Sequence, residues 1–356
     1  MIVGYKYLSD DQRLVAVQRL TALWAFSESG LGGIMHALQI PFTGLVVGGL
    51  AVILISLIAE ISGHNYKQIL KSAVIVLIVK AMVSPYTPFP AYIAVSFQAM
   101  LGYALFSLLN INILSILLLS SIAMLESAIQ KLLVLTLFFG ESFWKALDSL
   151  VTFITGQLGI SSSNGSQWII GFYLFLYLAG GMMIARIAWK TIKGFSVEQD
   201  AFIIDHAEIT NKVFFQDDKP VQRIHFQKLW ILIILLIEIS VLLFLFAADT
   251  KQGWLEVAKT ISWTLSAIFI LFMIIGPLFT KGIQKLLQKK ESRYSDEVLK
   301  IISFLPVLRQ LTALAWQRGK LYNGLARWQF FFSALIHWSL TYTEPASTEV
   351  SIKPQA

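Results

Sequence analysis

The sequence predicts an all-α fold: a polytopic integral membrane bundle of about eight transmembrane helices, six plus two, with cytoplasmic amphipathic helices. Hydrophobic residues make up 56% of the chain and charged residues only 14%, about half the charge typical of soluble proteins. The apolar residues fall in blocks of about 20, the length that one helix needs to cross a bilayer. The basic residues cluster beside these blocks, which indicates membrane orientation rather than nucleic-acid binding.

Residues 1–190 form the first predicted unit, a six-helix membrane module with outward-facing loops. Pro41 and the proline-rich stretch Ser84–Pro90 interrupt helices, because proline cannot donate its nitrogen to a helix interior. The fifth apolar block is too long for one straight crossing and must tilt, break or protrude. The six spans are expected at about 20–40, 42–61, 69–83, 91–109, 111–139 and 168–187.

The remainder of the chain divides into four predicted regions. Residues 191–228 are polar and form a cytoplasmic loop, and residues 229–280 form a two-helix membrane module. Residues 281–342 form cytoplasmic basic amphipathic helices, and residues 343–356 form a disordered tail. Lysine and arginine follow spans six and eight, so the positive-inside rule places both termini on the cytoplasmic side. We expect the membrane to be a bacterial inner membrane.

Ionisable side chains inside these spans are the first candidates for a ligand site, since each costs roughly 2.5 to 3.5 kcal/mol to insert. Lys80 either snorkels to the outer surface or lines an outward-facing pocket. Glu126 lies too deep in span five to snorkel, and Gln130 shares its helix face. We therefore expect Glu126 to be buried and satisfied by a polar partner.

Other polar residues complete the candidate ligand-binding set. His36, Tyr86, Thr87 and Gln98 lie in or beside the outer half of the first module, with the tyrosine also suited to the membrane interface. Cysteine is absent, and no second histidine lies near His36, so we expect neither a metal site nor a cofactor. Enzyme motifs such as HExxH, GxSxG and the P-loop are absent, and no catalytic residue is predicted.

The C-terminal region carries an apolar stripe beside basic residues. Leu299, Ile302 and Leu305 repeat every third residue, and the pattern continues after Pro306. Such a stripe needs a membrane or a partner to cover it. The alternative, that residues 328–340 cross the bilayer, requires a longer apolar stretch than those 13 residues provide. The leucines that continue the stripe are Leu308, Leu311 and Leu314.

The first 190 residues resemble the substrate-binding S components of energy-coupling-factor vitamin transporters. The likeness is carried by the run from Glu28 to Gly33, by Pro41–Gly44 and by Ser84–Pro88. It implies an outward-facing pocket for a vitamin-like small molecule, closed by loops, and partnership with an ATPase-driven T component. It also implies a helix-packing role for Ala22 and Ala25. Gly44 and Gly48 form a GxxxG pair that permits close helix contact.

The function expected from the sequence is a non-enzymatic substrate-binding or transport subunit for a small molecule, embedded in the lipid bilayer. One alternative is a membrane scaffold or assembly protein that recruits partners through its cytoplasmic helices. The other is a secondary carrier, although such carriers have related halves and no internal repeat is visible. Convergence of the buried polar residues on one site would favour the first hypothesis.

Overall fold

The computed structural model describes residues 9–32, 42–84, 87, 89–157, 165–194, 262–266, 270 and 276–342. The part of the chain that it describes is helical and contains no strand, as the sequence predicts. In chain order the helices are α1 (Asp10–Phe26, continued by a π-helical turn, Ser27–Leu31), α2 (Thr43–Ile61), α3 (Lys67–Val83), α4 (Phe89–Leu109), α5 (Ile113–Gln157), α6 (Gly165–Gly194), α7 (Gly276–Gly319) and α8 (Gly324–Thr341).

Helices α1 to α6 form a six-helix module around α2. All ten residues from Leu50 to Ala59 are buried, because α1, α3, α4, α5 and α6 all pack against α2. Glycines permit this crowding. A Cβ atom at Gly49 would lie 2.6 Å from Ile184 on α6, and one at Gly181 would lie 3.1 Å from backbone atoms of Ser120 and Ser121 on α5.

The module has two ends with different chemistry. The Pro90 end holds the π-helical turn and the α3–α4 connection, together with the start of α2. The opposite end, which we call the Lys67 end, holds the start of α1 and the α2–α3 turn, where the Arg13 side chain lies against Gly63. Helix α1 begins there with a capping box, in which Ser9 and Gln12 each satisfy the other's backbone N–H.

Helix α5 is a long helix with one break. Gly140 has φ of 65° and ψ of −160°, a backbone conformation open almost exclusively to glycine. The break frees the carbonyl of Leu137, which accepts a hydrogen bond of 3.1 Å from the indole N–H of Trp263. The second arm of α5 therefore begins after Gly140, just beyond the span predicted at 111–139. Whether that span tilts or protrudes stays a prediction.

Helices α7 and α8 pack against each other and against α1, and α7 also packs against α3; we call this pair the C-terminal hairpin. Glu297 accepts a hydrogen bond of 2.7 Å from Lys71 of α3. The guanidinium of Arg19 lies 4.0 Å from the ring centre of Phe304. The apolar face of the hairpin is thus covered by the membrane module of the same chain.

Only part of the predicted stripe of the hairpin is buried within the chain itself. Leu308 and Leu311 are fully buried and Leu314 nearly so, whereas Leu299 is 61% exposed. Leu299 directly follows Val298 and so lies about 100° around the helix from the face that is buried within the chain. Whether the bilayer or a partner covers it stays a prediction. Before Pro306 the buried face is formed instead by Val298, Ile301 and Phe304.

Five described helices are long and apolar enough to cross a membrane, so the predicted count of eight is not confirmed. Helices α1 and α3 have 17 residues each, or about 26 Å, short of the roughly 30 Å of a hydrocarbon core. Of the two spans predicted within residues 229–280, the one at 229–248 lies outside the described residues, and the one at 261–279 is described in part. The five are Thr43–Ile61, Phe89–Leu109, Ile113–Glu141, Gly165–Lys193 and, within the hairpin region predicted to be cytoplasmic, Tyr294–Gly319.

Candidate functional site

A buried ion pair joins α1 to α3 at the Pro90 end. The Lys80 ammonium lies 2.6 Å from a carboxylate oxygen of Glu28, and the two side chains are 3% and 7% exposed. Charges taken out of water are costly unless they are paired with good geometry. The pair therefore offsets the burial of both charges and fixes the end of α1 against α3.

The π-helical turn Ser27–Leu31 holds Glu28. The N–H of Gly32 donates to the carbonyl of Ser27, five residues back, instead of four as in an α-helix. The hydroxyls of Ser27 and Ser29 donate to the carbonyls of Trp24 and Ala25. Such hydroxyl bonds compete with the regular helix and bend it, and π-helical turns occur frequently at functional sites.

The position of Lys80 decides between its two predicted roles. Snorkelling to the outer surface is wrong, because the side chain is almost completely buried and its charge is matched by Glu28. The ammonium also lies 6.0 Å from the ring centre of Tyr92 on α4. The ends of α1, α3 and α4 at the Pro90 end therefore meet at this lysine.

A second polar group surrounds the glycine face of α2. A Cβ atom at Gly48 would lie 3.0 Å from the amide nitrogen of Gln98 and 3.1 Å from Met124. One at Gly44 would lie 3.2 Å from the hydroxyl oxygen of Ser127 and 3.9 Å from that of Tyr177. Side chains from α4, α5 and α6 thus occupy the space that the missing glycine side chains leave.

Two buried oxygens of the module have no hydrogen-bond partner among the described residues. They are Oε1 of Gln98, a residue that is 2% exposed, and Oε2 of Glu126, for which the predicted polar partner is not seen. Gln130, one turn beyond Glu126, is satisfied, since its amide donates to the carbonyl of Pro90 over 3.1 Å. An orphaned buried acceptor costs roughly 1 to 3 kcal/mol, and a native structure tolerates it where a ligand or an ordered water supplies the donor.

The predicted site residues are thus only partly brought together. Lys80 joins Glu28 near Tyr92, Gln98 lies at the glycine face, and Gln130 contacts the start of α4. Thr87 bonds locally to Ser84. His36 and Tyr86 lie outside the described residues.

The four predicted helix-packing residues all lie at contacts within the module. Ala22 and Ala25 are buried inside the chain, and Gly44 and Gly48 meet side chains of other helices. Whether Ala22 and Ala25 also serve a partner subunit stays a prediction.

Sequence reasoning missed three participants. Glu28 was not among the predicted site residues, although its opposite charge and similar depth could have paired it with Lys80. Ser127 and Tyr177 gave no signal, because a serine or tyrosine in a span is ordinary. Only the packing of α5 and α6 onto α2 brings their hydroxyls to the glycine face.

No known family, characterised protein or solved structure matches this chain. The function must therefore be argued from the residues of the module.

Proposed function

We propose that the chain is a substrate-binding or transport subunit of a bacterial inner-membrane transporter, and that its six-helix module binds a small solute within the membrane. The observation that carries the proposal is the pair of unpartnered buried oxygens on α4 and α5, at Gln98 and Glu126. The amide oxygen of Gln98 is a hydrogen-bond acceptor, and so is the carboxyl group of Glu126 in its ionised form. The solute that they suit presents N–H or O–H donors or a positive charge.

The buried ion pair supports the same placement. Glu28 and Lys80 lie at the Pro90 end, where Gln130 meets the carbonyl of Pro90. Polar side chains inside a membrane mark solute pathways in many transporters. The pair and the two free oxygens give the module polar groups in the half nearer the Pro90 end.

Charge at the Lys67 end supports the proposed orientation. Arg13 and Lys71 lie at this end, as do Arg186, Lys190 and Lys193 in the last turns of α6. Under the positive-inside rule this end faces the cytoplasm, so the Pro90 end faces outward. The likeness to S components supports an outward-facing site, a vitamin-like solute and partnership with an ATPase-driven T component.

The proposal is tested by the thermal stability of the purified full chain with a panel of water-soluble vitamins, their precursors and small amines. We expect one compound class to raise the Tm. Gln98→Leu should leave the ligand-free chain as stable as before or more stable, because it removes an unsatisfied buried acceptor. The same substitution should abolish the ligand-induced rise in Tm.

The matched control is Gln68→Leu, the same change at the Lys67 end, where the side chain is only half-buried. It should leave the ligand-induced rise intact. A rise that survives in Gln98→Leu would place the site elsewhere. If no compound shifts the Tm of the unmodified chain and none co-purifies with it, the result would favour the alternative of a membrane scaffold protein.

A further inference from the structure

The second half of the C-terminal hairpin carries charge of only one sign. From Val298 to Tyr342 there is no aspartate or glutamate, while five basic residues occur. Three of the five, Arg318, Lys320 and Arg327, lie within ten positions around the turn between α7 and α8. This turn is therefore a concentrated positive patch with no internal counter-charge from its own segment.

Aromatic rings pack together beside this positive patch. The ring centres of Trp316 and Trp328 lie 5.5 Å apart, and Phe331 lies edge-on to both. Tyr322 stacks on Phe330 at 4.8 Å. Both tryptophans and Tyr322 remain 40% to 46% exposed, and Leu321 at the turn is 85% exposed. Large amphipathic rings that are half-covered in this way suit the boundary between hydrocarbon and headgroups.

Arg327 connects the aromatic and the charged parts. Its guanidinium carbon lies 4.1 Å from the ring centre of Trp316, and a guanidinium over an aromatic face can still donate from its edge. Its Nε is buried and finds no hydrogen-bond partner within the described part of the chain. Phosphate oxygens are the acceptors that a guanidinium edge binds most strongly.

From these three observations we infer that the α7–α8 turn is a docking surface for anionic phospholipid headgroups of the surrounding bilayer. The rings and Leu321 enter the outer part of the hydrocarbon region. The basic side chains hold the phosphates of anionic lipids, and each favours such a lipid about fivefold near the surface. This role is independent of the solute site proposed for the six-helix module.

The inference is tested with a single label on the full chain, which has no native cysteine. Leu321→Cys carries a fluorophore, and the protein is placed in nanodiscs of phosphatidylcholine and phosphatidylglycerol at one fixed ratio. Two preparations contain the same mole fraction of brominated lipid. In one the brominated lipid is phosphatidylglycerol, and in the other it is phosphatidylcholine. We expect quenching by brominated phosphatidylglycerol to exceed quenching by brominated phosphatidylcholine severalfold, and added salt to reduce the difference.

Two neutralised variants make the result specific. Lys320→Gln alters an exposed side chain at the turn, and it should lower the preference for phosphatidylglycerol up to about fivefold. Lys300→Gln removes the same charge from an exposed position about 30 Å away along α7, and it should lower the preference much less. Equal quenching by both lipids, or no quenching by either, would overturn the inference.

Discussion

The two ends of α3 join it to its neighbours through the same chemical group in opposite surroundings. Lys80 at the Pro90 end pairs with Glu28 in near-complete burial, whereas Lys71 at the Lys67 end pairs with Glu297 while both side chains are 30% and 26% exposed. The two distances, 2.6 and 2.7 Å, are almost the same. Distance alone therefore says little about what each pair contributes.

The difference lies in what happens when one partner is lost. Removal of one partner of a buried pair leaves an uncompensated charge, which is strongly destabilising, whereas an exposed charge returns to water at little cost. At the Pro90 end of the six-helix module, the buried ion pair thus holds the end of α1 firmly against α3. The C-terminal hairpin is held mainly by its apolar face. The Lys71–Glu297 pair contributes little free energy and favours one position of α7 along α3.

The largest expected effect is at the buried pair. Lys80→Met should lower the free energy of unfolding by about 3 to 5 kcal/mol, because Glu28 is left buried without a counter-charge. Thermal denaturation of the full chain in detergent would measure the loss. The double variant Glu28→Leu with Lys80→Met should recover most of it, and a double variant as unstable as the single one would contradict this account.

The next effect concerns the close contact of α5 and α6. Gly181→Ala places a methyl group 3.1 Å from backbone atoms that cannot move aside cheaply, so the overpacking should cost about 1 to 3 kcal/mol. Gly171→Ala on the same helix meets nothing within 4 Å and should stabilise by about 0.5 to 1 kcal/mol. The two variants therefore differ in sign, and equal Tm values for them would argue against this packing.

A smaller effect is expected at the exposed pair. Lys71→Glu should cost about 0.2 to 1 kcal/mol and weaken docking of the hairpin, and Lys71→Glu with Glu297→Lys should restore it. Docking is measured by the protection of the backbone N–H groups of Val298 to Leu311 from hydrogen exchange in the full chain. Equal protection in Lys71→Glu, in the double variant and in the unmodified chain would contradict a role of this pair in the packing of α7 on α3.

The smallest effect is a pH dependence outside the membrane spans. Asp148, on the second arm of α5, accepts a hydrogen bond of 2.7 Å from the backbone N–H of Ser166, and this bond lowers the pKa of the carboxyl group. A lowered pKa means that the stabilisation is present above the unfolded-state pKa of about 3.9 and is lost as the pH falls through the lower folded-state value.

Hydrogen exchange at Ser166 would measure this. Protection should decline only below about pH 4, and Asp148→Asn should show weaker protection already at neutral pH. Unchanged protection in Asp148→Asn would remove the proposed anchor between the second arm of α5 and the start of α6.

Helix positions in the module were predictable because apolar blocks and prolines mark them directly. Span two was expected from residue 42 to Ile61, and α2 runs from Thr43 to Ile61. Span one was expected to begin at about residue 20, whereas α1 already begins at Asp10. Charged residues were taken to mark the start of the span. In the structure Arg13 and Arg19 lie within α1, because their side chains contact other elements.

The candidate site was less predictable, for a physical reason. The position of a residue within an apolar block predicts burial, so Lys80, Gln98 and Glu126 were selected as polar residues in spans, and Lys80 and Gln98 are buried within the chain. Which helix faces which is set by packing among glycines and branched side chains, and one sequence does not display it. The pairing of Lys80 with Glu28 and the gathering of Ser127 and Tyr177 at the glycine face depend on that arrangement.

The π-helical turn at Ser27–Leu31 has a consequence for how this chain tolerates insertion and deletion. Such a turn accommodates one residue more than an α-helix of the same length. Loss of Gly30, which follows Glu28, would turn the segment into ordinary helix without rotating the carboxylate relative to α1. Loss of Ser27 would instead rotate it by about 100°, away from Lys80. A residue can therefore be lost after Glu28 without rotating its carboxylate away from Lys80, whereas a residue before Glu28 cannot.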